Sequence, residues 1–124
     1  MSVDRRKEEE MRAFRRFARL GLDKEKEPLS FLRRIKRAGS EGVVLDLFAV
    51  WETLRFLEAT GKSDTAEAAR RVYFFAPEMK LMPNELTYRV ICVAGELHCD
   101  ERTLYRRLRE ARALWRRLRY NERY

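Results

Sequence analysis

The segment Val93 to Arg112, VAGELHCDERTLYRRLREAR, constrains the fold more than any other part of the chain. Apolar residues recur three and four apart on both sides of a short polar break, His98–Cys99–Asp100. That spacing is helical, and so short a break makes two helices cross instead of running on as one. Ala94 supplies a small residue at the crossing, Leu97 and Leu104 flank the turn, and Leu108 continues the buried side. The first turn position of such units has a left-handed backbone, for which glycine is the usual choice. Here it is His98, a residue type that tolerates this region better than most. Asp100 is placed to cap the second helix, expected over Glu101 to about Tyr120.

Helical spacing extends through the rest of the chain. Val44, Leu47, Trp51, Leu54 and Leu57, broadened by Phe48 and Val50, predict a core helix over 43–60, and Gly61 suits the position past its end. Asp64 followed by Glu67 reads as a capping box opening a helix that runs through Val72 and Tyr73 to Phe74, before Pro77. The short connection predicts an antiparallel hairpin. Upstream, residues 4–20 read as a charged helix with a thin stripe of Met11, Phe14, Phe17 and Leu20, stopped at Gly21. Pro28 suits the first turn of a short helix with Leu29, Phe31, Leu32 and Ile35 on one side and Arg33, Arg34, Lys36 and Arg37 on the other. Met79 to Asn84 is a connector, and a helix from Glu85 to Leu97 carries Leu86, Val90, Val93 and Leu97 along one face. No strand alternation, internal repeat or low-complexity tract interrupts this pattern. The expected fold is all-α, a helical bundle with a central helix hairpin and a C-terminal helix-turn-helix. Three segments make it up: basic N-terminal helices or an arm (1–38), the hairpin (39–80) and the helix-turn-helix region (81–124).

Charge follows the same division. The whole chain carries +8, with 28 Lys and Arg against 20 Asp and Glu. Residues 1–38 hold +6, residues 39–84 hold −2 and residues 85–124 hold +4, so a polyanion would be felt by the two ends and not the middle. No lysine follows Lys80; the later cations are all arginine, whose planar fork pairs bidentately with phosphate and guanine edges. The N-terminal segment has two readings. It is an arm that orders on DNA, or a helix that docks Phe14, Phe17 and Leu20 on the core or a partner.

Other classes lack their signals. Two cysteines, Cys92 and Cys99, make no disulfide framework and fit a reducing cytosol. His98, Cys99 and Asp100 with Cys92 lack the second ligand cluster of a structural zinc site, so no metal is expected; Cys92 reads as a core residue and His98 as a turn residue. No apolar run approaches membrane-spanning length. There is no glycine-rich phosphate loop and no convincing nucleophile, so the chain reads as a non-enzyme with no cofactor and no small-molecule substrate.

At about 100° per residue, Leu104, Leu108, Ala111, Trp115 and Leu118 fall within about 40° of one line along the last helix. Arg102, Tyr105, Arg106, Arg109, Arg116 and Arg117 lie opposite. The start of a reading helix meets base edges, so Arg102, Tyr105 and Arg106 are the base-reading candidates, with Thr103 in the same turn. Arg109, Arg116 and Arg117 lie further along and suit phosphates. The apolar seam has two readings: packing on the chain's own core, or, around Trp115 and Leu118, pairing with a second copy.

Thr103 to Arg112, TLYRRLREAR, is similar to the reading helix of sigma-factor region 4. LRFLEATGK, RRVYFF and the run Glu101 to Ala111 together resemble small phage transcriptional regulators of the ArpU and RinA type, over roughly residues 43–120. The C-terminal run is the specific part, and the N-terminal forty residues match nothing in that pattern. The resemblance implies a sequence-specific regulator of late or packaging genes, encoded by a phage or prophage, that binds double-stranded DNA and has no catalytic residues. Two alternatives stand beside it. One is a sigma-like interaction module whose last helix binds RNA polymerase or a phage protein. The other is a small terminase-like packaging subunit that forms a ring on DNA.

Overall fold

The computed structural model describes residues 2–121; Met1 and residues 122–124, the extreme ends of the first and last expected segments, lie outside the described residues. The elements run α1 (Ser2–Arg19), a 3-10 turn (Leu22–Lys24), α2 (Pro28–Ile35), α3 (Glu41–Ala59), α4 (Ser63–Tyr73), α5 (Pro83–Glu96) and α6 (Glu101–Tyr120). No strand occurs among the described residues, so the all-α expectation holds.

Local signals set most boundaries. Gly21 and Gly61 follow α1 and α3 at φ 65° and 79°, the left-handed region where a Cβ is strained. The Ser40 side chain accepts the Val43 N–H to open α3, and the Glu27 carboxylate accepts the Leu29 and Ser30 N–H groups ahead of Pro28. The Asp64–Glu67 capping box does not form. α4 starts at Ser63, which leaves Asp64 already inside the first turn, where its carboxylate accepts the N–H of Thr65 and not that of Glu67. Glu67 instead pairs with Arg71, one turn on. α5 begins at Pro83, two residues before the expected Glu85.

α6 is the central helix. It packs mainly on α3 and α4, with α1 and α5 along its flanks. Leu104, Leu108, Ala111 and Trp115 form its buried stripe. Beneath them lies an aromatic core from four elements. Phe14 of α1 meets Tyr73 of α4 with ring centroids 5.5 Å apart, and Phe31 of α2 stacks on Trp51 of α3 at 5.1 Å. The Trp51 indole N–H donates to the Glu25 carbonyl at 2.9 Å, tying the connector before α2 to α3.

Of the two readings of the N-terminus, the structure has the docked helix. Phe14 and Phe17 are fully buried, although Leu20, expected as a third anchor, is 41% exposed because the chain turns away at Gly21. Arg15 fastens the same helix. Buried to 9% exposure, its guanidinium donates to the carbonyls of Tyr73 (3.3 Å), Phe75 (3.3 Å), Ala76 (3.0 Å) and Met79 (2.6 Å). These carbonyls end α4 and line the loop after it, where a helix has unsatisfied acceptors and the negative end of its dipole.

Candidate nucleic-acid interface

The break between α5 and α6 is closed by backbone hydrogen bonds. Leu97 N–H donates to Val93 O (2.9 Å), His98 N–H to Gly95 O (3.2 Å) and Cys99 N–H to Ala94 O (3.0 Å). His98 has φ 53°, the left-handed conformation expected of it from the sequence. Asp100 then opens α6, its carboxylate accepting the Thr103 N–H at 2.7 Å. That backbone bond, then the Thr103 hydroxyl, holds the Asp100 carboxyl below its ordinary range, with Arg102 and Arg106 adding to the effect. Ala94 is 4% exposed at the crossing, Leu104 and Leu108 are buried, and Leu97 packs against the core from its edge.

Seven of the eight arginines of α6 divide into two groups. Four point to the flanks and are bound internally. Arg107 pairs with Asp64 of α4 at 3.2 Å. Arg112 pairs with Glu10 of α1 at 3.3 Å and donates to the Tyr73 hydroxyl at 2.7 Å. Arg116 reaches Glu10 at 2.8 Å and Glu9 at 3.3 Å. Arg119 holds Asp46 of α3 at 2.6 Å. The buried Glu10 therefore bridges two arginines, while Tyr120 hydrogen-bonds Glu9. Burial pushes the Tyr73 phenol up, against the pull of the Arg112 charge beside it.

The second group is Arg102, Arg106 and Arg109. All three are exposed and none forms a salt bridge among the described residues. Arg102 to Arg109 spans about 10 Å along the axis, comparable with the roughly 12 Å width of a B-DNA major groove. Ala113, Arg117 and Tyr120 continue the exposed stripe.

Of the residues expected at the interface, Arg102, Arg106 and Arg109 are brought together on one open face, with Arg117 further along it. Thr103 is half-buried and spent on the cap, and Tyr105 packs partly on the core at the edge of the stripe. Arg116, expected to suit phosphate, is held by Glu9 and Glu10 instead, because α1 docks along that flank. Trp115 is fully buried, its indole N–H donating to Asp46 O at 3.1 Å, and Leu118 packs against the same core. The seam therefore serves the chain's own core, and Trp115 offers no surface to a second copy. Cys92, read as a core residue, lies exposed on the outer side of α5.

Sequence reasoning missed the acidic partners of α6. Glu8-Glu9-Glu10 read only as part of a charge run, although Glu9 and Glu10 lie on the core side of α1 with Phe14 and Phe17. Among the described residues no group of three or more His, Cys, Asp and Glu side chains could hold a metal ion, and no helix is long and apolar enough to cross a membrane. No family model, curated protein or solved structure matches the chain.

Proposed function

We propose that this chain binds duplex DNA in a sequence-specific way, inserting the outer face of α6 into the major groove, and that it acts as a transcriptional regulator. One observation carries the reading. Where four arginines of α6 are matched with acids, Arg102, Arg106 and Arg109 stand exposed and unmatched on a single face, directly after a capped turn. Three exposed charges this close, none held in a salt bridge among the described residues, raise the local positive potential and suit a polyanion better than water alone. Arg102 and Arg106 lie in the first two turns, where base edges are read, and Arg109 suits a phosphate. The resemblance to phage regulators of the ArpU and RinA type agrees with this role and suggests late or packaging genes in a bacterial host as the target.

Selection from a random duplex library at near-physiological salt tests the reading. A single enriched motif is expected, and Arg106→Ala should weaken binding to it by roughly 1–3 kcal/mol while relaxing the preference at one base position. Equal loss on every sequence would make Arg106 a phosphate contact only. No enrichment, with binding that merely falls steeply with salt, would turn the assignment to the sigma-like interaction module.

A further inference from the structure

A second surface, independent of the α6 face, lies between α1 and the loop and helix start that follow α4. It is a groove of about 670 Å³. One wall is the outer side of α1, with Arg12, Arg16 and Arg19, and the other includes Lys80. The buried Arg15 stands behind it, so five cations line the groove against two acids, Glu8 and Glu78. Arg12, Arg16, Arg19 and Lys80 form no salt bridge among the described residues. The floor is apolar and rich in methionine: Met11, Met79 and Met82, three of the chain's four methionines, line this one groove together with Leu81 and Leu86. Met79 is 66% exposed and Met82 52%, so the apolar floor of the groove is open to solvent.

Methionine is unbranched and polarizable, and surfaces built from it adapt to apolar side chains of varied shape. A nucleic acid backbone has no use for such a floor, since it offers charge and ribose but no aliphatic ridge. A helix with apolar residues three and four apart fits it, as in other helix-in-groove recognition. The unmatched rim of arginine and lysine then selects the charge of the helix's remaining face. A neighbouring groove of about 550 Å³, between the end of α4 and α5, gives the contrast. Its floor of Phe74, Phe75 and Tyr88 is as apolar, but its rim is already matched: Arg71 is bound by Glu67 and Glu96, and Arg89 lies within 3.9 Å of Glu85. Of these two grooves, the α1 groove is the one that combines an open apolar floor with cations not held in salt bridges among the described residues.

We infer that the groove between α1 and residues 77–86 binds an acidic amphipathic helix of a partner protein, its apolar ridge on Met11, Met79 and Met82 and its carboxylates on Arg12, Arg16, Arg19 and Lys80. The net-acidic helices of this chain, α3 and α5, are packed on α6 in its own fold, so the partner is a different protein. The inference does not rest on DNA binding.

The test is a display selection of random peptides of about four helical turns against the full chain, with duplex DNA present as competitor. Enriched peptides should be net acidic with apolar residues at helical spacing. Their affinity should fall at least about tenfold on Arg12→Glu/Arg16→Glu, and similarly on Met79→Ser/Met82→Ser, which changes no charge. Lys36→Glu/Arg37→Glu makes the same charge change beyond α2 and should leave affinity within about twofold, a control for long-range attraction. Unchanged far-UV circular dichroism confirms that each variant is folded. Failure to enrich any peptide, enrichment of neutral or basic peptides, or equal losses from both charge reversals would overturn the inference. Displacement of the enriched peptide from the groove by duplex DNA would assign the groove to nucleic acid and overturn it as well. The DNA selection with Arg106→Ala reads a different face, so either proposal can fail alone.

Discussion

Replacing Arg15 tests how the structure holds its first helix and the loop beside it. The guanidinium donates to four carbonyls, but unequally: Ala76 O at 3.0 Å and Met79 O at 2.6 Å are close, while Tyr73 O and Phe75 O lie at 3.3 Å. Hydrogen bonds from a charged donor contribute about 1.5–3 kcal/mol each, though not additively. Water can replace three of these bonds, whose surroundings are only part-buried, whereas Tyr73 O sits in a buried one. Burial opposes the gain by pulling the Arg15 guanidinium below its ordinary pKa, and the nearby Arg89 charge adds to that pull. Two strong bonds, two weak ones and this opposing cost leave about 2–4 kcal/mol for Arg15→Met, which keeps much of the apolar stem. Arg15→Lys should lose about 1–3 kcal/mol, because a point charge with three donors cannot span four carbonyls. Urea unfolding at pH 7 measures both losses, and an unchanged m-value shows that the denatured state is the same. Amide exchange should quicken over residues 76–82 in both variants, before global unfolding. A loss below about 0.5 kcal/mol for Arg15→Met would refute the reasoning and make the guanidinium a surface group that happens to lie over the loop.

Two further perturbations bear on the same fold. Trp115→Ala should destabilise by about 3–5 kcal/mol, since it removes the largest fully buried side chain and the indole bond to Asp46 O; chemical denaturation checks this. Burial pushes the Glu52 carboxyl above its ordinary value of 4.5, so ionising it disfavours the folded state. That cost is absent at low pH, appears as pH rises through 4.5 and is complete above the raised folded value, so Glu52→Gln should raise the melting temperature at pH 7 and leave it unchanged below the carboxylate range. An equal rise at both pH values would locate the effect elsewhere.

What could be read from the sequence was local. The left-handed backbone at His98, the helix ends at Gly21 and Gly61, the cap at Asp100 and the buried stripe of α6 all follow from short-range spacing. Signals that depend on which helices meet were not accessible in this way. Arg116 and Arg109 look alike on a helical wheel; one is bound because Glu10, 106 residues away, arrives on the docked α1. Cys92 looked like core by composition, but α5 turns Val90, Val93 and Ala94 inward and leaves Cys92 out. The role of Arg15 was equally hidden, since its acceptors are main-chain carbonyls some 60 residues on, and backbone acceptors leave no mark in a sequence.

In the proposed function, α6 serves two ends through different faces. Its inner stripe and its flanks bind α1, α3 and α4 through Trp115, Glu10, Asp46 and Asp64, so its position is fixed by the core and by four arginine–acid contacts. On its outer stripe Arg102, Arg106 and Arg109 are exposed and form no salt bridge among the described residues. In the DNA-binding role proposed for it, a helix held this way is rigid before it meets a ligand, so little backbone ordering remains to be lost on binding. Evolution could then exchange Arg102, Arg106 and Arg109 to change a recognised site without unfolding the protein, since exposed positions away from packing cost little when substituted. Arg112 and Arg116 lack that freedom despite identical chemistry, because loss of either leaves the buried Glu10 short of a partner. Identical side chains within two turns of one helix are thus bound into the fold or left exposed according to whether an acid from another helix reaches them.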